Sequence, residues 1–243
     1  MDFETLERSF PHHKKVSEQY ADAGALEYLR ELVPEDIRRA EKGSLVVELL
    51  RWFKNDFMRW LPNQMRCGRC AQTGKDGPVM QSTILPGTSW QLRKIELYRC
   101  PSCGCEESYP RYSDVRSIAE TRLGRCGEWS ILFGAILNSV SIPARIVHDY
   151  LDHCWNEALL DGRWVHLDST LQFPISLDHP HYYEQNWGKQ YTCVLAFEPD
   201  RLEDVTCRYT EQWETVSRRR LLSRDGKSLA EENLQRLYLA AGL

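Results

Sequence analysis

Two short cysteine pairs, Cys67-Gly-Arg-Cys70 and Cys100-Pro-Ser-Cys103, stand 29 residues apart and constrain this chain more than any other stretch of it. Two such knuckles let four thiolates converge tetrahedrally on one zinc ion, and the glycine near each pair permits the tight turn that aims backbone amides at sulfur. The segment before the second pair, QSTILPGTSWQLRKIELYRC, has the runs and the Pro-Gly break of a β-hairpin. Cys105 follows the second pair and is expected outside the ligand set. Four protein ligands leave no position for water, so zinc here is expected to hold the fold and not to catalyse. Residues 62–110, rich in Gly, Pro, Ser and Thr, therefore read as a small zinc-binding insertion.

On either side of the insertion the pattern is different. Apolar residues at helical spacing run through 14–33 and 36–60, parted by Pro34, and make 1–61 an N-terminal helical part. Residues 113–121 predict a short helix, and Gly127 to Val140 a buried one that ends before Pro143. Strands follow: ARIVHDYL, HCWNEALL, RWVHLDST after the turn signal Asp161-Gly162, and YTCVLAFEP. Helices first and antiparallel strands afterwards indicate an α+β fold. The core is expected over 111–209, with two closing helices over 210–243.

Charge and punctuation exclude several classes of partner. Thirty-one Lys and Arg against 35 Asp and Glu give a net charge of −4 with no long single-sign block, so neither nucleic acid nor a membrane surface is an expected partner. The opening MDFETLERSF lacks a secretory apolar region, and no apolar run reaches transmembrane length, so the expectation is a soluble chain that is not secreted. Nine cysteines, an odd number, point to metal in a reducing compartment more than to disulfides.

A fifth cysteine has a different setting. In TRLGRCGEWSILFGAIL, Cys126 follows a glycine-bearing loop at the start of the buried helix, where free N–H groups and the helix dipole favour a thiolate. A nucleophile there needs a base and a third group to orient the base. His12, His13, His179 and His181 lie in polar or Pro-flanked stretches and read as surface or local structural residues. Strand pairing through the Asp161-Gly162 turn brings His153 beside Asp168, but His166 shares a strand face with Asp168 and competes for the role, and His148 and Asp152 lie close by.

These motifs together resemble the cytoplasmic peptide:N-glycanases, whose core is transglutaminase-like and similar to papain-type cysteine enzymes. GRCGEW, DHCW and WVHLD carry the likeness; LLRWFKNDFMRW, YRCPSCG, YPRY, DHPHYYEQNWGKQYTCVLAF and DVTCRYTEQW extend it over residues 45 to 220. The resemblance implies Cys126 as nucleophile, His153 as base and acid, Asp168 as its orienter, and Cys67, Cys70, Cys100 and Cys103 as ligands of one structural zinc. It places Trp60, Trp155, Glu157 and Trp164 along the cleft for glycan and peptide. It also implies hydrolysis of the asparagine–N-acetylglucosamine amide of misfolded N-glycoproteins, in the cytoplasm with the nucleus as a second compartment, and a ubiquitin–proteasome shuttle protein as partner. The alternatives are a transglutaminase-type acyl transferase and a catalytically inactive scaffold of the same fold. After the aspartate the family continues with Cys-Glu, whereas this chain reads DSTLQFPISLDHP. Lacking the family's ubiquitin-related and sugar-binding modules, the chain resembles the shorter fungal forms or a fragment of a longer one.

Overall fold

The structure, a computed structural model, describes residues 3–71, 77–221 and 231–241. Helix α1 (Phe3–Glu18) starts well before the expected Lys14 and carries Pro11 inside it. A single 3-10 turn leads to α2 (Ala23–Leu32), where the Asp22 carboxylate accepts the Ala25 N–H at 2.8 Å and so satisfies an orphan donor of the first turn. Pro34 disfavours helix at Val33, which is extended, and ends α2.

The second expected helix is divided. Short α3 (Glu35–Arg38) and α4 (Lys42–Trp52) are followed by one π-helical turn, Phe53–Phe57, and by the short strand β1 (Arg59–Trp60). The wider turn buries both Phe53 and Phe57; Phe53 meets Phe133 at 5.0 Å between centroids and Phe57 meets Trp52 at 4.6 Å. Each such buried ring contributes roughly 2–3 kcal/mol. The sequence as far as Trp60 does not remain helical because its backbone pairs elsewhere: Arg59 N–H donates to Arg122 O and Leu61 N–H to Gly124 O, both at 2.8 Å.

The insertion holds one helical turn, α5 (Gly68–Ala71), and a three-stranded antiparallel sheet, β2 (Gln81–Pro86), β3 (Leu92–Arg99) and β4 (Glu106–Tyr112). The expected hairpin is β2–β3, and β4 completes the sheet on its far side. The chain then enters α6 (Val115–Thr121), capped by Asp114 accepting from Ser117 N–H at 2.8 Å. β5 (Leu123–Gly124) pairs in parallel with β1, and α7 (Cys126–Ser139) follows at once.

Beyond α7 lies a five-stranded antiparallel sheet in the order β10-β9-β6-β7-β8, made of β6 (Ala144–His148), β7 (Cys154–Leu160), β8 (Arg163–Leu167), β9 (Leu195–Phe197) and β10 (Leu202–Asp204). The hairpin β7–β8 turns on Asp161 and Gly162, both at positive φ (49° and 77°), the mirror-image turn that matches strand twist. Helix α8 (Tyr182–Trp187) interrupts the path to β9, and α9 (Thr206–Tyr209), α10 (Trp213–Leu221) and α11 (Glu231–Ala240) end the described chain. The middle of the expected tail, 222–230, lies outside the described residues.

Helix α7 packs against β6 and β7, and its approach is very close at Gly134. A Cβ there would fall 2.5 Å from Tyr20 Oη and 2.7 Å from Asn156 Nδ2, so only glycine lets the helix sit down. One continuous core joins α1, α2, α4, α6, α7, the sheet and α11, while Cys67, Met80, Tyr98 and Cys100 form a separate small cluster in the insertion. Among the described residues no helix is long and apolar enough to cross a membrane.

Candidate active site and metal centre

Most residues of the GRCGEW motif have a separate task. Gly124 has no room for a side chain: a Cβ would lie 2.4 Å from Glu128 Cβ. Arg125 donates to Leu61 O and Pro62 O at 3.1 and 3.0 Å and to Glu96 at 2.8 and 2.9 Å, clamping the insertion to the start of α7. Glu128 folds back to accept the Arg125 N–H at 3.0 Å, capping the helix, and is itself gripped by Arg111, which also binds Glu96 at 2.6 Å. Trp129 Nε1 donates to Gly124 O at 3.2 Å and closes the turn. Cys126 is thereby fixed, half-buried, at the first position of a helix that is capped and anchored on both sides.

The His153 loop is built just as firmly. Strand β6 ends at His148, earlier than expected, because the Asp149 carboxylate accepts the N–H groups of Leu151, Asp152 and His153 at 2.9, 3.2 and 3.0 Å. Lys189 ties Asp149 and Asp152 together from α8's far end. His153 therefore stands just before β7, and its Nε2 lies 2.7 Å from Asp168 Oδ2 at the end of β8. Its other ring nitrogen is left for the Cys126 side, and Cys126 Sγ rests 3.8 Å from Asp152 O.

Asp168 is fully engaged. Oδ2 accepts from His153 and from Tyr183 Oη, each at 2.7 Å, and Oδ1 accepts from Thr170 N–H and Oγ1 at 2.8 and 2.7 Å. Tyr183 in turn meets His166 Nε2 at 2.8 Å, and His179 N–H donates to His166 Nδ1 at 3.3 Å. These directions place the His166 proton on Nε2, so His166, Tyr183 and Asp168 form a one-way donor chain ending at the carboxylate.

The electrostatics follow from these contacts. The Cys126 thiol is held far below its ordinary range, at about 4, first by hydrogen bonding from the Cys154 thiol and then, against burial, by the bond and charge of His153. Burial works against a charged His153, but the charge and hydrogen bond of Asp168, followed by those of Cys126, outweigh it and raise the imidazole to about 10. Burial also opposes the Asp168 charge, yet His153 keeps that carboxyl well below the usual range. The stable form at neutral pH is thus a thiolate–imidazolium pair with an ionised carboxylate behind it. His166, by contrast, is pushed down to about 4, chiefly by burial, and is neutral.

The four residues assigned to the cleft by resemblance separate. Trp60 is 45% exposed and pairs with Gly124, two residues before the thiol. Trp155 is wholly buried against Tyr183 and Tyr209. Glu157 is buried and bound by Arg145, Arg208 and Tyr209, and Trp164 stacks on the Arg145 guanidinium at 4.0 Å. Trp155 and Glu157 are buried in the back of the sheet and offer a ligand no free surface, while Trp164 beside them is half-buried. Trp187 is the exposed aromatic that the sequence did not single out. It is 47% exposed, with its ring 5.2 Å from His153, and lines a recess of about 630 Å³ with Leu151, Asp152, Gly188, Lys189 and Gln190. The only forewarning was its place in the quoted EQNWGK stretch. Of His12 and His13, given surface or local structural roles, His13 packs against His148 and stacks on Phe197 at 4.2 Å, and His12 is held at about 4 by burial and then by the Arg93 charge.

In the insertion five thiols converge. Cys67 Sγ lies 3.6 Å from Cys103 and 3.2 Å from Cys105, and Cys70 lies 3.8 Å from Cys100. The sulfurs of Cys67, Cys100, Cys103 and Cys105 are all within 4.8 Å of one another and could hold a metal ion. A tetrahedral centre with metal–sulfur bonds of about 2.3 Å sets its sulfurs about 3.8 Å apart, so the spacing fits. Cys105 departs from its expected place outside the ligand set because Gly104, at φ 70°, turns the chain back and lets the Cys105 carbonyl accept the Cys100 N–H at 2.9 Å.

The fold thus brings together a helix-start thiol, a loop imidazole and a strand-end carboxylate where a helix packs against an antiparallel sheet. Residues 84–169 match the family model described as the transglutaminase-like superfamily. The chain's curated relatives are named peptide-N(4)-(N-acetyl-beta-glucosaminyl)asparagine amidase. That of Eremothecium gossypii is 40% identical, over 68% of this chain and 47% of its own length. That of Saccharomyces cerevisiae is 37% identical over 79% and 53%, and the human one 35% over 76% and 28%. The chain thus spans about half or less of the curated relatives it matches. A solved structure of Rad4-Rad23 bound to a 6-4 photoproduct UV lesion aligns with a TM-score of 0.59 at 14% identity, over 97% of this chain and 53% of that one, a likeness of fold.

Proposed function

We propose that this chain is a cysteine amidase that hydrolyses the bond between an asparagine side chain and the first N-acetylglucosamine of N-linked glycans. The observation that carries the reading is the Cys126–His153–Asp168 arrangement, joined to substantial identity with amidases of that name. The Cys126 thiolate attacks the side-chain carbonyl carbon, and the oxyanion that forms is met by the Cys126 N–H at the helix start and by the indole N–H of Trp60. His153, already protonated, gives its proton to the departing glycosylamine; it then takes a proton from the water that opens the thioester, leaving aspartate. Asp168 holds the ring so that one nitrogen always faces sulfur.

The substrate class is misfolded N-glycoprotein in the cytosol, with the nucleus as a second compartment, since the amide must reach Cys126 on a flexible chain. Zinc is the metal that suits an all-thiolate site: Cys67, Cys100 and Cys103, with Cys70 or Cys105, would hold it as a closed cross-link of the insertion. A shuttle protein of the Rad23 kind is the proposed partner, a reading supported by the neighbour solved as Rad4-Rad23. Acyl transfer to an amine passes through the same thioester, and water admission separates the two. The test is incubation with a denatured high-mannose glycoprotein in heavy-oxygen water. Label in a new aspartate supports hydrolysis; an amine adduct on glutamine, or no release of glycan by the folded protein, defeats it.

A further inference from the structure

Cys154 is neither acid, base nor nucleophile in the reaction above, yet it lies beside the turn that carries the reacting sulfur. Ser130, one turn along α7, donates to Cys126 O at 2.6 Å and Cys154 O at 2.8 Å, and its oxygen is 3.5 Å from Cys154 Sγ. One hydroxyl thus stitches the first residue of α7 to the first residue of β7. Cys126 Sγ reaches over the same chain segment, 3.8 Å from Asp152 O. Cys154 Sγ is thus held beside the first turn of α7, both cysteines are free thiols, and Cys154 is only 5% exposed whereas Cys126 opens on the site.

We propose that Cys126 and Cys154 form an oxidative modification site: a hydroperoxide oxidises Cys126, and Cys154 resolves it into a reversible disulfide that shuts the site. The proposal rests on the reading of Cys126 as an ionised nucleophile. The thiolate sulfur attacks the outer peroxide oxygen, the O–O bond breaks, and for hydrogen peroxide hydroxide leaves and is protonated to water. The Cys126 sulfenic acid that results is attacked by Cys154 sulfur; the S–O bond breaks, and hydroxide leaves with the Cys154 proton as a second water. Two thiols and one peroxide become one disulfide and two waters, and two external thiols reverse the change.

The electrostatics give the sequence of events its direction. Cys154 is raised well above a free thiol, first by its hydrogen bond to Cys126 and then by burial, so it stays protonated while Cys126 is a thiolate. Conversion of that thiolate to an uncharged sulfenic acid removes the leading cause, and Cys154 becomes easier to ionise when a resolving thiolate is needed.

The experiment treats the reduced protein with hydrogen peroxide and reads site-resolved mass spectra, with recovery of Cys126 alkylation after reduction by dithiothreitol. Wild type is expected to show a peptide cross-link between Cys126 and Cys154 and nearly complete recovery. Cys154→Ser, which keeps a donor of similar size, is expected to accumulate Cys126 bearing two or three oxygens, with recovery below about one-tenth. Sulfinate at Cys126 beside a still-reduced Cys154 in wild type, a disulfide to another cysteine, or equal recovery in the serine variant would each overturn the proposal. None of these readouts needs glycan release, so failure here and failure of the amidase reading are distinguishable.

Discussion

Replacing His153 by glutamine should change how Cys126 responds to pH, and the size of the change can be worked out before any substrate is chosen. In the native site the thiol sits at about 4 against an ordinary 9.0. At pH 6 that makes Cys126 about 99% thiolate, where a free thiol of the ordinary value is about 0.1%. Ionisation alone would favour Cys126 about a thousandfold. Thiolate nucleophilicity, however, falls with pKa at a slope of about 0.4–0.5, and five units remove about 200-fold per ionised sulfur. The net advantage in alkylation rate at pH 6 is only about fivefold, so rate alone is a weak test and the shape of the profile is a strong one. Iodoacetamide labelling, read at the Cys126 peptide, should be flat from about pH 5 to 9, because the pair breaks only near 4 and near 10. His153→Gln should lose that plateau, its midpoint moving up by about 1–3 units, the effect of removing one adjacent cation. A wild-type rate that climbs tenfold per unit between pH 5 and 8, or an unchanged profile in the variant, would refute the ion pair.

Other outcomes follow from neighbouring contacts. Tyr183→Phe removes one of four hydrogen bonds to Asp168 and should cost about 1.5–3 kcal/mol of stability at neutral pH. Because the folded carboxyl sits below its unfolded value of about 3.9, that deficit is full above this pH and disappears only as acid protonates Asp168, which urea titrations at several pH values would reveal. Gly124→Ala drives a Cβ into Glu128 and should lower stability by about 1–3 kcal/mol, measured by thermal melting, with loss of the Cys126 plateau. Stripping metal from the thiol cluster should unfold the insertion; a chelated protein with unchanged near-ultraviolet dichroism would contradict this. His153→Ala should abolish glycan release, whereas His166→Ala should weaken it less, since His166 reaches Asp168 only through Tyr183.

Where the sequence was readable, a local rule sufficed. The apolar run after Cys126 and the Asp161-Gly162 turn specify α7 and the β7–β8 hairpin with little help from distant residues. The π turn at Phe53–Phe57 was not readable, because its cause is the aromatic packing of Phe133 and Trp129 from another part of the chain. Helical spacing was read only from Lys14, whereas α1 begins at Phe3 and carries Pro11 inside it. Among the cleft residues, alternation along β7 decides: Cys154 and Asn156 bond with Ser130 on the α7 side, while Trp155 and Glu157 turn toward Tyr209 on the other. The choice between His153 and His166 needed the third dimension, since both can approach Asp168 and only one faces sulfur.

The buried ion network that pins the insertion to α7 has a mechanical consequence. Arg111, Glu96, Arg125 and Glu128 share their charges across the seam, and freeing one partner of such a set costs about 3–5 kcal/mol. Thermal motion therefore leaves the seam shut, and the wall beside Cys126 behaves as a fixed jaw and not as a door. A wall of fixed position does not swing aside to make room for a bulky ligand. If the amidase reading holds, the asparagine must come to Cys126 on a chain pliant enough to fit that wall, since the wall does not yield to the chain.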